Sequence, residues 1–186
     1  MKPLLLLAFI CSFLVTTAQP EINSGTLLIG GGYTHDYPKL DGYSLLTEFL
    51  TPTDHCIQAG FGAKFVNLNG YPQTEQVDEY LQAFTIDLNL YWVPFQLGPH
   101  VLRLGLGYAV SFYSKKQAYP TWPGGSLEDP VVWEGQFRSG WHAGPSLIAE
   151  YAYVFPASNC SLGIRAALYQ EYDRTWYVGP RLGIGL

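Results

Sequence analysis

The segment Thr175–Leu186, TWYVGPRLGIGL, sorts its residues by twos. Trp176, Val178, Pro180, Leu182, Ile184 and Leu186 share one face, and Thr175, Tyr177, Gly179, Arg181, Gly183 and Gly185 share the other. A period of two marks a strand, because successive side chains of an extended chain point to opposite sides. One face is apolar throughout; the other is small or polar and holds the single charge.

Working upstream, the same division defines further strands at about Thr26 to His35, Tyr43 to Leu50, Cys56 to Asn67, Tyr80 to Val93, Val101 to Ser114, Ser139 to Phe155 and Ser161 to Tyr172. With the last, that makes an all-β chain of about eight strands. In the fourth, Phe84, Ile86, Leu88, Leu90 and Trp92 alternate with Thr85, Asp87, Asn89 and Tyr91. In the fifth, Leu102, Leu104, Leu106, Tyr108, Val110 and Phe112 oppose Arg103, Gly105, Gly107, Ala109 and Ser111. The third sets Ile57, Phe61 and Phe65 against Gln58, Gly60, Gly62 and Lys64, the sixth Leu147, Ala149 and Tyr151 against His142, Ser146 and Glu150, and the seventh Leu162, Ile164 and Leu168 against Gly163, Arg165 and Glu171. No charge falls on an apolar face.

The connections Thr51 to His55, Pro94 to His100 and Pro156 to Cys160 are short and rich in turn-forming residues. Those between them include Leu68 to Glu79 and the long Lys115 to Arg138, so one rim is plain and the other carries loops; Asp173 and Arg174 alone make a tight turn on the loop side. Closed antiparallel barrels of the outer membrane have this arrangement.

Composition agrees. Charged residues are 13% of the 186, against a usual ~25%. The formal net charge of −5 offers nothing to nucleic acid. Residues 1–18 read as a secretory signal peptide, with Lys2, an apolar run from Leu4 to Val15 and small residues before Gln19; residues 19–186 are then the barrel domain. Cys56 and Cys160 lie just before the third and seventh strands, on opposite sides of an eight-strand ring, and are expected to stay free.

Alternation does not say which face points outward. A polar face in water, as in a secreted lipocalin-like ligand-binding barrel, would carry many Lys, Glu and Thr. Here it is rich in Gly and Ala with isolated charges, which suits the lumen of a narrow barrel. The apolar face places Phe65, Phe84, Phe112, Trp141, Tyr172 and Trp176 near the loop rim and Trp92, Tyr153 and Phe155 near the other, with aliphatic residues between. Two aromatic belts around an aliphatic band match the interfaces of a bilayer. The expected lumen network is Lys64, Arg103, Arg165 and Arg181 against Glu48, Asp87, Glu150 and Glu171, packed rather than open. Pro145 and Pro180 fall inside strands, each after a Gly, where a bulge is the expected accommodation.

On these features residues 19–186 resemble the small eight-stranded outer-membrane proteins, such as outer membrane protein X and the membrane domain of outer membrane protein A. The terminal pattern of Tyr177, Gly179, Leu182 and Ile184 is similar to the assembly signal of that class, with Leu186 in place of its usual terminal Phe. The resemblance implies an integral outer-membrane barrel, monomeric, in contact with membrane lipid and lipopolysaccharide and delivered by the barrel assembly machinery.

For chemistry the sequence offers little. His142, Ser146 and Glu150 share a face, but four residues of strand separate neighbours by about 13 Å, too far for proton transfer. An outer-membrane lipid-modifying enzyme is therefore the lesser alternative, and no catalytic residue is assigned. No metal-ligand spacing or cofactor motif is present, so no metal or cofactor is expected. Gly30, Gly31 and Gly32 lead to no phosphate-loop helix and are read as relief of crowding. Tyr119, Trp122, Trp133 and Phe137, in the long loop among prolines and glycines, are candidates for contact with a surface partner or for capping the mouth.

Overall fold

The computed structural model describes residues 25–36, 40–52, 56–70, 77–123, 131–170 and 174–186. The strands are β1 (Thr26–Asp36), β2 (Leu40–Leu50), β3 (Ile57–Gly70), β4 (Tyr80–Leu97), β5 (His100–Thr121), β6 (Val132–Val154), β7 (Cys160–Gln170) and β8 (Arg174–Gly185). Each pairs with its sequence neighbours, and β8 pairs with β1 to close the barrel.

The register fixes the barrel's dimensions. Stepping from partner to partner, Thr26, Leu50, Gly60, Asn89, Gly107, Ser146, Tyr169 and Thr175 lead back to Asp36, ten residues along β1 from the start. With strands about 4.8 Å apart, that stagger tilts them by roughly 40° and makes the backbone cylinder roughly 16 Å across. Such a cylinder holds side chains and little else.

The faces follow the two-residue period. Outward residues, among them Leu88, Leu90, Leu106, Leu147, Leu162 and Ile164, are 62%, 58%, 65%, 54%, 53% and 53% exposed, whereas Glu48, Lys64, Arg103, Arg165 and Arg181 are buried inside. An apolar exterior around a charged interior inverts the soluble pattern and excludes the secreted-barrel alternative on physical grounds. Leu45, Phe65, Phe84, Phe112 and Trp141 form one continuous outer row of paired residues.

Several boundaries differ from the sequence expectation. β1 runs to Asp36 and β2 starts at Leu40, which leaves three residues for the first loop-side connection, as many as for the last. β4 continues past Val93 through a register shift between Trp92 and Phe95, and turns to β5 at Gly98, whose φ of 55° suits glycine. The long Lys115 to Arg138 loop is largely a two-stranded ribbon, with β5 and β6 paired in unbroken register from His100↔Tyr153 to Thr121↔Val132.

Neither proline sits in a bulge. The backbone N–H of Val154 donates to Pro99 on the β5 side, and that of Phe155 to Cys160 on the β7 side. Odd-numbered β6 residues therefore turn their amides toward β7, and Pro145 stands one residue beyond the last β6–β7 pair, Ser146↔Tyr169. It forfeits no bond with β5. By the same alternation, with Leu186 N–H donating to Gly25, Pro180 turns its nitrogen toward β1. There the β1–β8 pairing lapses at Gly31 and Gly32 and resumes at Tyr33↔Val178. A Cβ on Gly32 would strike the Val178 carbonyl, so the two strands close tightly over the missing rungs.

Candidate functional site

Two regions carry the residues singled out by sequence: the lumen and the ribbon.

In the lumen Glu48 is the hub. Its carboxylate accepts from Arg165 at 2.9 Å, Arg181 at 2.8 Å, Asn89 at 2.7 Å and the Tyr91 hydroxyl at 2.7 Å. Arg181 also pairs with Glu150, which in turn accepts from Arg103 at 2.8 Å; Arg103 Nε donates to Gln58 at 2.9 Å. β2, β5, β6, β7 and β8 are thus tied across the axis. Lys64 places its ammonium 3.2 Å from the centroid of the Tyr169 ring, whose hydroxyl accepts from Arg165 at 3.3 Å. Asp87 is buried in the same lumen without an ion pair among the described residues, and Glu171 lies outside them.

Sequence reasoning missed a second, higher set. Lys115 pairs with Asp36 at 3.4 Å, Thr34 bonds Ser44 at 2.6 Å and Thr85 bonds Ser111 at 2.7 Å. Beside it Leu40, Val66, Leu68, Leu81 and Ala83, with Tyr113 against them, form an apolar cluster toward the loop end, where Leu40 pairs with Asp36 and Leu81 with Lys115. Periodicity alone leaves Asp36 past a strand end and Lys115 in a loop; only the ribbon's continued pairing reveals that Lys115 keeps the lumen phase of β5. The lumen also holds Tyr91, Tyr169 and Tyr177, all about 1% exposed, so small residues are only part of its filling.

His142, Ser146 and Glu150 do not converge. His142 is exposed above the barrel wall, Ser146 donates weakly to Asn89 at 3.5 Å, and Glu150 is held by two arginines. Among the described residues no group of three or more His, Cys, Asp or Glu could hold a metal ion. Cys56 and Cys160 are not joined by a disulfide.

The ribbon rises from the barrel on β5 and β6, which at 22 and 23 residues are twice the roughly 9 to 11 needed to span a bilayer. Tyr119 faces the lumen side, with the Arg138 guanidinium 5.9 Å from its ring; Trp133 and Phe137 face outward, and Trp122 follows the end of β5. The β5 edge is covered, since Glu79 accepts the Ala118 N–H at 2.8 Å. The β6 edge is bare among the described residues: its pairing with β7 ends at Ser146, and β7 and β8 are already joined at Gln170↔Arg174.

Of the C-terminal pattern, Tyr177 and Gly179 face the lumen while Leu182, Ile184 and Leu186 face outward at 46%, 38% and 68% exposure.

No family model matches the chain, and no curated protein matches it by sequence. Among solved structures it is similar to Neisserial surface protein A, at 12% identity over 87% of this chain and 96% of that one, with a TM-score of 0.56. It is also similar to a major outer membrane protein from Thermus thermophilus, at 13% identity over 88% and 100% of the two chains, with a TM-score of 0.53. Identities this low speak to fold alone. That fold, joined to an aliphatic outer wall with aromatic borders, makes the chain a small eight-stranded β-barrel of the outer membrane.

Proposed function

We propose that the protein is a non-enzymatic outer-membrane barrel whose lumen is a packed structural core and whose β5–β6 ribbon is a surface-contact element. The observation that carries this is the bare β6 edge, held up by a barrel whose interior is filled. An exposed edge presents a row of unpaired amides and carbonyls to any extended chain, a known mode of recognition and one that proteins otherwise conceal. Tyr119, Trp122, Trp133 and Phe137 flank it with aromatic area suited to a partner. Membrane lipid and lipopolysaccharide surround the wall, the C-terminal pattern ending at Leu186 serves the assembly machinery, and the barrel is a single copy within its own bilayer.

Cells displaying the full chain should adhere to host cells or protein-coated surfaces better than cells displaying a variant that lacks residues 118–134, at equal surface amounts. Equal adhesion would remove the surface-contact role.

A further inference from the structure

We propose that the bare edge of β6 is self-complementary and pairs with the same edge of a second copy on a facing membrane; this rests on the surface-contact reading of the ribbon. Odd-numbered residues of β6 turn their N–H and C=O groups to the open side, a phase set by Val154, Phe155 and the unbroken β5–β6 register. From Trp133 to Ser139 no strand lies beside that edge among the described residues.

Glu134 and Arg138 are both exposed, lie on the same face of the ribbon and carry opposite charges. Four residues of extended chain hold them about 13 Å apart, and within its own strand Arg138 donates to Gln136 at 3.0 Å rather than to Glu134. Neither has an ionic partner among the described residues, and Arg138 stands beside Lys115, whose own charge is engaged by Asp36. An antiparallel copy related by a two-fold axis at Gln136 resolves this. Glu134 then faces Arg138 of the second copy, and Arg138 its Glu134, giving two ion pairs in the closer, non-hydrogen-bonded positions of the ladder. Gly135 faces Phe137, so no two bulky groups collide, and Trp133 faces Ser139. Residues 133 to 139 of the two copies would exchange roughly eight backbone hydrogen bonds. Axes at Glu134 or Arg138 set like charges against each other, and an axis at Phe137 matches neither charge.

The geometry also selects where the second copy sits. Barrels in one bilayer point the same way, so their upright ribbons run parallel, whereas antiparallel pairing needs ribbons that meet head-on. The two-fold axis lies about five residues beyond Trp141 of the aromatic border, roughly 13 Å above it at a 40° tilt. Facing membranes would be held on the order of 25 Å apart.

The test uses the full chain in phosphatidylcholine vesicles, with clustering followed by light scattering. Wild-type vesicles should cluster; vesicles carrying Glu134→Arg or Arg138→Glu alone should cluster on the order of tenfold more slowly, since each variant opposes like charges. Mixing the two variant populations should restore clustering, because each then supplies the charge the other lacks. Failure of the mixture to recover, unchanged clustering by the single variants, or no clustering of the wild type would each overturn self-pairing. If the ribbon-dependent adhesion to other surfaces persists in that event, only the self-pairing is lost; if it is absent too, the surface-contact reading falls with it.

Discussion

Glu48 concentrates the lumen's electrostatics in one side chain. Two arginines, an amide and a phenol converge on it, all buried. Removing one partner of a buried pair leaves the others uncompensated, at a cost of about 3 to 5 kcal/mol. Glu48→Ala should therefore destabilise the barrel by about that much in urea-unfolding measurements from lipid vesicles. Arg103→Ala should cost less, about 1 to 3 kcal/mol, because Glu150 keeps Arg181 when Arg103 is gone. Equal losses would mean that the hub is not Glu48.

At the scale of the element the two prolines make opposite predictions from the same chemistry. Pro180 leaves a rung of the β1–β8 seam unmade opposite Gly31, within a wall that lipid surrounds. Pro180→Val supplies the missing N–H and should stabilise the fold by about 0.5 to 1.5 kcal/mol. Pro145 stands where β6 leaves β7, so an N–H there gains no strand partner among the described residues. Pro145→Val should change stability by no more than about 0.5 kcal/mol. Unfolding midpoints for the pair would separate the seam from the edge. The ribbon belongs to the same scale: deleting residues 118–134 removes paired strand but none of the Glu48 network, so the shortened chain should still show the folded, heat-modifiable band on cold detergent gels. Loss of that band would assign the ribbon a role in holding the barrel.

Across the whole molecule, stagger and charge act together. A ten-residue offset around eight strands sets a cylinder too narrow for an aqueous channel, and the axis is crossed by Arg165, Arg181 and Arg103 bound to Glu48 and Glu150. Toward the loop end an apolar cluster of Leu40, Val66, Leu68, Leu81 and Ala83 packs inside the wall on the β2–β4 side. Planar-bilayer recordings should accordingly show no stable open channel. Steady single-channel steps would require the Glu48 network to part under the conditions of the recording.

Local physics made much of this legible in the chain itself. Alternation is a property of the extended backbone, so Leu88, Leu106 and Ile164 declared their face, and Glu48, Arg103 and Arg181 theirs, without any knowledge of neighbours. Gly, Pro, Asp and Asn marked the turns because their backbone preferences are local. The tertiary structure decided what depends on partners distant in sequence. Which glutamate meets which arginine is set by the ten-residue stagger, which sums small offsets over all eight strand pairs. Lys115 became a lumen residue, and the supposed loop a ribbon, because β5 and β6 remain paired beyond the wall, where prolines and glycines had suggested irregular chain. Among the described residues the edge at Phe137 is bare because the β6–β7 pairing stops at Ser146, a difference in height that no single strand encodes.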